Sequence, residues 1–256
     1  MKKQPTYKIS LTFALLLFTI PLIYAVFCKV NGYIILPRMF IFYSVISLIA
    51  FSVASIFVFV KAIPGGIKVM FTFLILSATV FSCLWLNGIG GHVKFEVYEG
   101  LKEIKNYNEN LEGHLSAFVK EVETDDYGKF EDISHYYYRS TGIFCQLSTT
   151  TIVKYSDGNF KNAVENVNSE NSWCTEAVVE DDPVPVFSFE GFDFRLTVCD
   201  NDYPKAMYFI GMNDETNEIA YVFFEDWDLD SVWDFTDLLD SYCGWRYIIK
   251  DREKNK

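Results

Sequence analysis

Three apolar runs, Leu11 to Cys28, Met39 to Val60 and Val69 to Leu86, fill the first third of the chain, and none contains an acidic or basic residue. Each is close to the roughly 20 residues that an α-helix needs to cross about 30 Å of hydrocarbon. Residues 1–86 therefore read as a membrane domain of three transmembrane helices. Pro21 removes a backbone donor inside the first run and predicts a kink there. The segments Lys29 to Arg38 and Lys61 to Lys68 carry Asn31-Gly32, Pro37 and Pro64-Gly65-Gly66, and read as short turns between spans. Met1-Lys2-Lys3 before an apolar stretch also fits a secretory signal. However, no small-x-small cleavage pattern surrounds Ala25-Val26-Phe27-Cys28, and the first run reads as a retained helix.

Charge divides the chain at the same place. Residues 1–95 contain eight basic side chains and no Asp or Glu; from Glu96 onward there are 14 basic and 34 acidic residues, a net charge of −20. A binder of nucleic acid needs a basic face for the phosphates, and this distribution excludes that class. With the N-terminus inside, Lys2, Lys3, Lys8, Lys61 and Lys68 are cytoplasmic and Lys29 and Arg38 are outside. The basic-residue rule thus orients the chain N-in, C-out, with the acidic part extracytoplasmic. No N-x-[ST] sequon occurs in that part, and the chain leans toward a bacterial inner membrane protein.

Cys28 and Cys83 lie in the apolar runs as small hydrophobes. Cys145, Cys174, Cys199 and Cys243 lie in the acidic part, an even number suited to an oxidising compartment. Of the three possible pairings, Cys145 with Cys174 and Cys199 with Cys243 bracket plausible local units. The expectation is a disulfide-braced domain.

Asn87-Gly88-Ile89-Gly90-Gly91 suggests a glycine-rich linker over residues 87–93, followed by a soluble domain over 94–256. Val97, Leu101, Ile104, Asn108, Leu111, Leu115, Phe118 and Val122 recur at alternating spacings of four and three. This is a heptad stripe on a long amphipathic helix. The stripe serves either to cover the protein's own sheet or, with Asn108 fixing register, as a homodimer seam through residues 97–122. Ile152, Val153 and Tyr155 precede Ser156-Asp157-Gly158-Asn159, which reads as a hairpin turn, and the polar stretch Asn162 to Asp182 reads as a loop. Phe192 to Val198, Ala206 to Met212 and Ile219 to Phe224 predict three consecutive strands, an antiparallel meander whose last member is apolar on both faces. Asp230-Ser231 begins a helix that Gly244 stops, and Tyr247-Ile248-Ile249 reads as a final strand before a charged tail. The fold class is three transmembrane α-helices followed by an α+β extracytoplasmic domain containing a long amphipathic helix, an antiparallel meander and a C-terminal helix.

Asp226, Asp228 and Asp230 match the first three ligand positions of a calcium loop, with Asp237 at the twelfth. Ser231 stands where the loop requires Gly, and acids at a helix N-terminus explain the same residues through the dipole. His92, His114 and His135 are scattered, and no nucleophile-elbow, zinc-protease, phosphate-loop or dinucleotide glycine pattern occurs. Tyr136-Tyr137-Tyr138-Arg139 is either an interaction patch or a strand at the edge of the core. The spans carry no ionisable residue of the kind that marks a transport path; Ser47, Ala50, Ala54 and Ser55 form a small-residue strip for helix packing. These observations lead to an expected non-enzymatic membrane protein without a cofactor, seated in the lipid bilayer and presenting an acidic domain to a protein, a basic one in particular, or to a cationic ligand. The alternatives are an accessory subunit acting through its transmembrane helices and an extracytoplasmic hydrolase with an unrecognised site.

Overall fold

The computed structural model describes residues 4–90, 92–100, 102–103, 130–141, 146–174, 186–200, 205–226 and 235–256. Residues 1–94 with 141–143 make one compact unit, and residues 95–140 with 144–256 make the other.

The first unit contains three helices long and apolar enough to cross a membrane, Thr6–Val30, Pro37–Phe59 and Gly65–Trp85. The first is built from α1 (Gln4–Leu16), a 3₁₀ turn (Leu17–Thr19) and α2 (Ile20–Val30). The break lies where Pro21 predicts it. The carbonyl that loses a partner to Pro21 is that of Leu17, and the N–H of Ile20 takes it in a tighter i→i+3 bond. Then come β1 (Tyr33–Ile34), α3 (Pro37–Phe59) and α4 (Gly65–Gly90). Lys68 Nζ donates to the carbonyl of Val58 at 2.9 Å, meeting an acceptor near the end of α3 across the short turn. Ser47 and Ala54 are buried, and Ala50 packs against the same cluster, so the small-residue strip lies inside the bundle. The outer faces are apolar and exposed, as at Leu22, Ile23, Ile41, Ile49 and Phe81.

α4 runs through Gly90 and β2 occupies His92–Glu99, so the segment read as a linker is largely helix and strand. Val97, the first residue of the heptad stripe, lies on β2 and packs into the core of the second unit. Residues 104–129, including Asn108, lie outside the described residues. β1 pairs antiparallel with the first residues of β2.

The remaining strands are β3 (Phe130–Thr141), β4 (Gln146–Tyr155), β5 (Phe187–Phe189), β6 (Phe192–Asp200), β7 (Lys205–Asn213) and β8 (Glu218–Asp226). The order is β1-β2-β3-β4-β8-β7-β6-β5. After β4 the chain re-enters the sheet at its far edge and returns through antiparallel pairs β5–β6, β6–β7 and β7–β8, which bring β8 beside β4. The predicted meander is present. The β5–β6 connection is a two-residue turn, Glu190-Gly191, with both residues at positive φ, the twist a tight hairpin requires.

The two faces of the sheet hold separate cores. One contains Tyr136, Ile152, Phe192, Phe194, Leu196, Phe209, Val222 and Phe224. It is covered by a π-helical turn (Leu238–Tyr242), entered from the short Phe235–Asp237 segment, and by a C-terminal helix (Trp245–Lys254). The other contains Ile133, Val153, Tyr155, Ile210 and Ile219, covered by Phe160, Ala163 and Val167 of α5 (Asp157–Glu170).

Two sequence expectations are corrected here. Ser156 does not begin a hairpin; it is the extended N-cap residue of α5, and much of the polar stretch read as a loop is helix. Its signal is Phe160, Ala163, Val164 and Val167 at i, i+3, i+4 and i+7 in an otherwise polar segment. Tyr247-Ile248-Ile249 is helix rather than strand. Trp245, Ile248 and Ile249 place one stripe against the sheet, and the Trp245 ring meets Phe192 and Phe194 edge-on at 5.7 Å.

Gly244 turns the chain into this helix at φ 67°, and a Cβ there would approach the Tyr138 ring at 2.6 Å. Gly244→Ala therefore meets backbone strain and overpacking together, and we expect it to destabilise the second unit by roughly 2–4 kcal/mol. Thermal unfolding of the full chain in detergent checks this; a melting temperature equal to that of the unsubstituted chain would refute the packing described.

Candidate functional site

A cleft of about 200 Å³ opens on the face of the sheet that carries the C-terminal helix. Its geometry follows from register. Asp132 on β3 is opposite Lys154 on β4, and Lys154 is opposite Glu218 on β8. Residues directly opposite share a face, so the three form one row across three strands. Ser134, Tyr136 and Ile152 also line the cleft; Glu99 enters from the end of β2, and Arg252, Asn255 and Lys256 from the C-terminal segment.

Glu218 is the most committed group. Arg252 Nη2 lies 2.6 and 2.8 Å from its two carboxylate oxygens, and the Thr216 hydroxyl donates to Oε2 at 2.8 Å. The Glu218 side chain is only 9% exposed, so the ion pair pins the last helix to β8 in a partly dehydrated setting. Asn255 Nδ2 donates to Glu99 Oε1 at 3.0 Å and ties the chain beyond that helix to β2. Burial, chiefly, pushes the Tyr136 phenol up to about 12; the Asp251 and Glu99 carboxylates add to this, while Ser134 and Arg252 oppose it. Tyr136 is a neutral phenol at physiological pH. Asp132 Oδ1 accepts from the Ile133 N–H at 2.9 Å. Among the described residues, the Lys154 and Lys256 ammonium groups enter no ion pair.

The residues singled out from sequence have other surroundings. Tyr136, Tyr137, Tyr138 and Arg139 lie on β3, where strand alternation places Tyr136 and Tyr138 on the face of the C-terminal helix and Tyr137 on the other. Tyr136 and Tyr138 are buried, Tyr137 is half-buried and Arg139 is exposed. Asp226 ends β8 opposite Gln146 and Lys205, while its side chain, Asp228 and Asp230 lie outside the described residues. Among the described residues, no group of three His, Cys, Asp or Glu side chains is placed to hold a metal ion.

The disulfide expectation is not supported. Among the described residues, no two cysteine sulfurs are bonded. Cys243 is a free thiol buried in the core between the π-helical turn and the C-terminal helix, with the Ser148 hydroxyl against it, and burial pushes its pKa up. A protonated, enclosed thiol is unreactive. Cys174 Sγ donates to the carbonyl of Thr197 at 3.3 Å. Cys145 and the Cys199 side chain lie outside the described residues. Cys199 itself is a strand residue of β6 opposite Met207.

His135 is fully buried on the opposite face, its Nδ1 2.8 Å from the Thr151 hydroxyl. Burial holds its pKa down at about 4, so it is a neutral hydrogen-bonding residue at physiological pH.

Sequence reading assigned Lys250 to Lys256 to a charged tail and so missed Arg252 and Asn255. The available signal was helical spacing: Trp245, Ile248, Ile249 and Arg252 recur at i, i+3, i+4 and i+7. No family model, curated protein or solved structure matches the chain.

Arg252→Met leaves the Glu218 carboxylate without its cation in a nearly closed position. The expected loss is about 1–3 kcal/mol, below that of a fully buried pair because the guanidinium is partly hydrated. Glu218→Gln with Arg252→Met should recover part of it, and a double-mutant cycle by chemical denaturation measures the coupling; additive losses would contradict the pin.

For His135, the unfolded chain takes up a proton near pH 6.5 while the folded chain resists until about pH 4. Stability contributed by keeping this residue neutral is intact above pH 6.5 and falls as pH drops from there to about 4, by on the order of 3 kcal/mol at most. Stability measured against pH should fall less steeply over this window in His135→Gln. Parallel curves would rule out the assignment.

Proposed function

We propose that this is a non-enzymatic multi-pass membrane protein whose three N-terminal helices anchor an acidic α+β domain that binds a basic protein partner. The observation that carries the reading is the joining of two unlike pieces: three apolar helices with exposed apolar outer faces, and a sheet whose two cores are covered by its own helices. The exposed aliphatic and aromatic side chains of the helices are the kind of surface that lipid covers. From residue 96 onward the net charge of −20 attracts cationic partners and speeds their encounter at low salt.

The proposed placement is N-terminus in the cytoplasm and C-terminal domain outside, in a bacterial inner membrane. With an unbonded Cys243 thiol, cysteine usage no longer adds to this assignment, which rests on the bias of basic residues. A buried thiol persists on either side of a membrane.

Lys161 is exposed on α5, and its labelling is read against that of the unsubstituted chain, whose own thiols include the half-buried Cys174. Lys161→Cys should react with a membrane-impermeant maleimide on intact cells. Labelling only after permeabilisation would reverse the orientation. The binding reading predicts that a basic protein co-purifies with the full chain at low ionic strength and is released by about 0.5 M salt, where screening confines such attraction to a few ångströms. Co-purification that is indifferent to salt, and retained by a chain carrying only residues 1–94, would favour an accessory subunit acting through its helices.

A further inference from the structure

We propose that the cleft between the C-terminal helix and the β2-β3-β4-β8 face binds a small zwitterion carrying a primary ammonium and an anionic oxygen group. Such binding is separate from recognition of a basic protein and does not depend on it. Lys154 presents its ammonium at the cleft between two carboxylate-bearing strand positions, Asp132 and Glu218, yet is ion-paired with neither. The Glu218 carboxylate is already engaged by Arg252 and Thr216. Lys256 lines the same cleft, again without an ion pair among the described residues. Two lysines thus line the cleft without an ion pair among the described residues.

It also offers acceptors for a cation. Asp132 uses Oδ1 to accept a backbone N–H, and Glu99 uses Oε1 to accept from Asn255. Each leaves its second carboxylate oxygen for a ligand. The floor is formed by the Ile152 side chain and the neutral Tyr136 phenol, which accommodate a short apolar linker between the charged ends. A volume of about 200 Å³ has room for roughly six or seven water-sized groups, the size of a simple amino acid or of a phosphoethanolamine.

Charge decides among ligand classes. A plain anion would approach a domain of strongly negative net charge, which repels it at long range. A divalent cation would have to displace Lys154 from beside the two carboxylates. A molecule with no net charge avoids both penalties and satisfies both kinds of group at short range.

The full-length protein in detergent is titrated calorimetrically with L-serine, O-phosphoethanolamine, sodium acetate and ethylammonium chloride. A zwitterion should bind while acetate and ethylammonium at equal concentration give no heat. Preference for L-serine identifies a free amino acid as the source, and preference for O-phosphoethanolamine a lipid headgroup. Lys154→Met and Asp132→Asn, both at exposed side chains, should each weaken binding about tenfold or more without lowering the melting temperature. Lys161→Met, on the opposite side of the sheet, should leave it unchanged. Absence of binding by either zwitterion at millimolar concentration would overturn the proposal. So would binding that both cleft variants retain, or equal heats from the singly charged probes.

Discussion

Burial of β8 on both faces is the constraint on which the second unit depends. Ala220, Val222 and Phe224 are fully buried on one face, while on the other Ile219 is fully buried and Tyr221 half-buried. A sheet of this kind is stable only between two layers. α5 supplies one, and the π-helical turn with the C-terminal helix supplies the other. β4 beside it is buried in a polar form: Ser148, Thr149, Thr150 and Thr151 are all enclosed, and the Ser148 and Thr150 hydroxyls have no hydrogen-bond partner among the described residues. Thr151 meets His135, and Ser148 lies against Cys243.

The polar cleft is a by-product of how the second layer is fastened. Trp245 and Ile248 anchor the C-terminal helix in the apolar core, but toward its end the sheet presents strand termini that carry charge. The Glu218–Arg252 pair closes that end, and Asn255 extends the attachment to β2. These contacts consume part of the available hydrogen-bonding capacity and leave Lys154, Lys256 and one oxygen each of Asp132 and Glu99 facing the opening. The site thus arises where the apolar stripe of the helix runs out.

The first unit was legible almost in full, because a single property of the side chains, apolarity sustained for about twenty residues, specifies a helix long and apolar enough to cross a membrane without reference to any other part of the chain. Pro21 even indicated where the first helix tightens. The meander was equally plain, since Phe192 to Val198, Ala206 to Met212 and Ile219 to Phe224 follow one another through short turns. The C-terminal helix and α5 were obscured because their apolar residues are few and set in otherwise polar segments. Tyr247-Ile248-Ile249 has the β propensity of a strand, and only the packing of Trp245 and Ile248 on the sheet overrides it. The cysteines misled for a related reason: an even count says nothing about distance, and Cys243 is enclosed in the core without a cysteine partner.

By itself the sequence determined that the chain has an acid-free, three-helix apolar part and an acidic α+β part, because charge, hydropathy and strand alternation are local properties of consecutive residues. The tertiary structure decided which faces are covered, which thiols are buried and which charges meet. Asp132, Lys154, Glu218 and Arg252 are spread over more than a hundred positions, and no local pattern links them. Only strand register and the docking of the final helix bring them to one cleft.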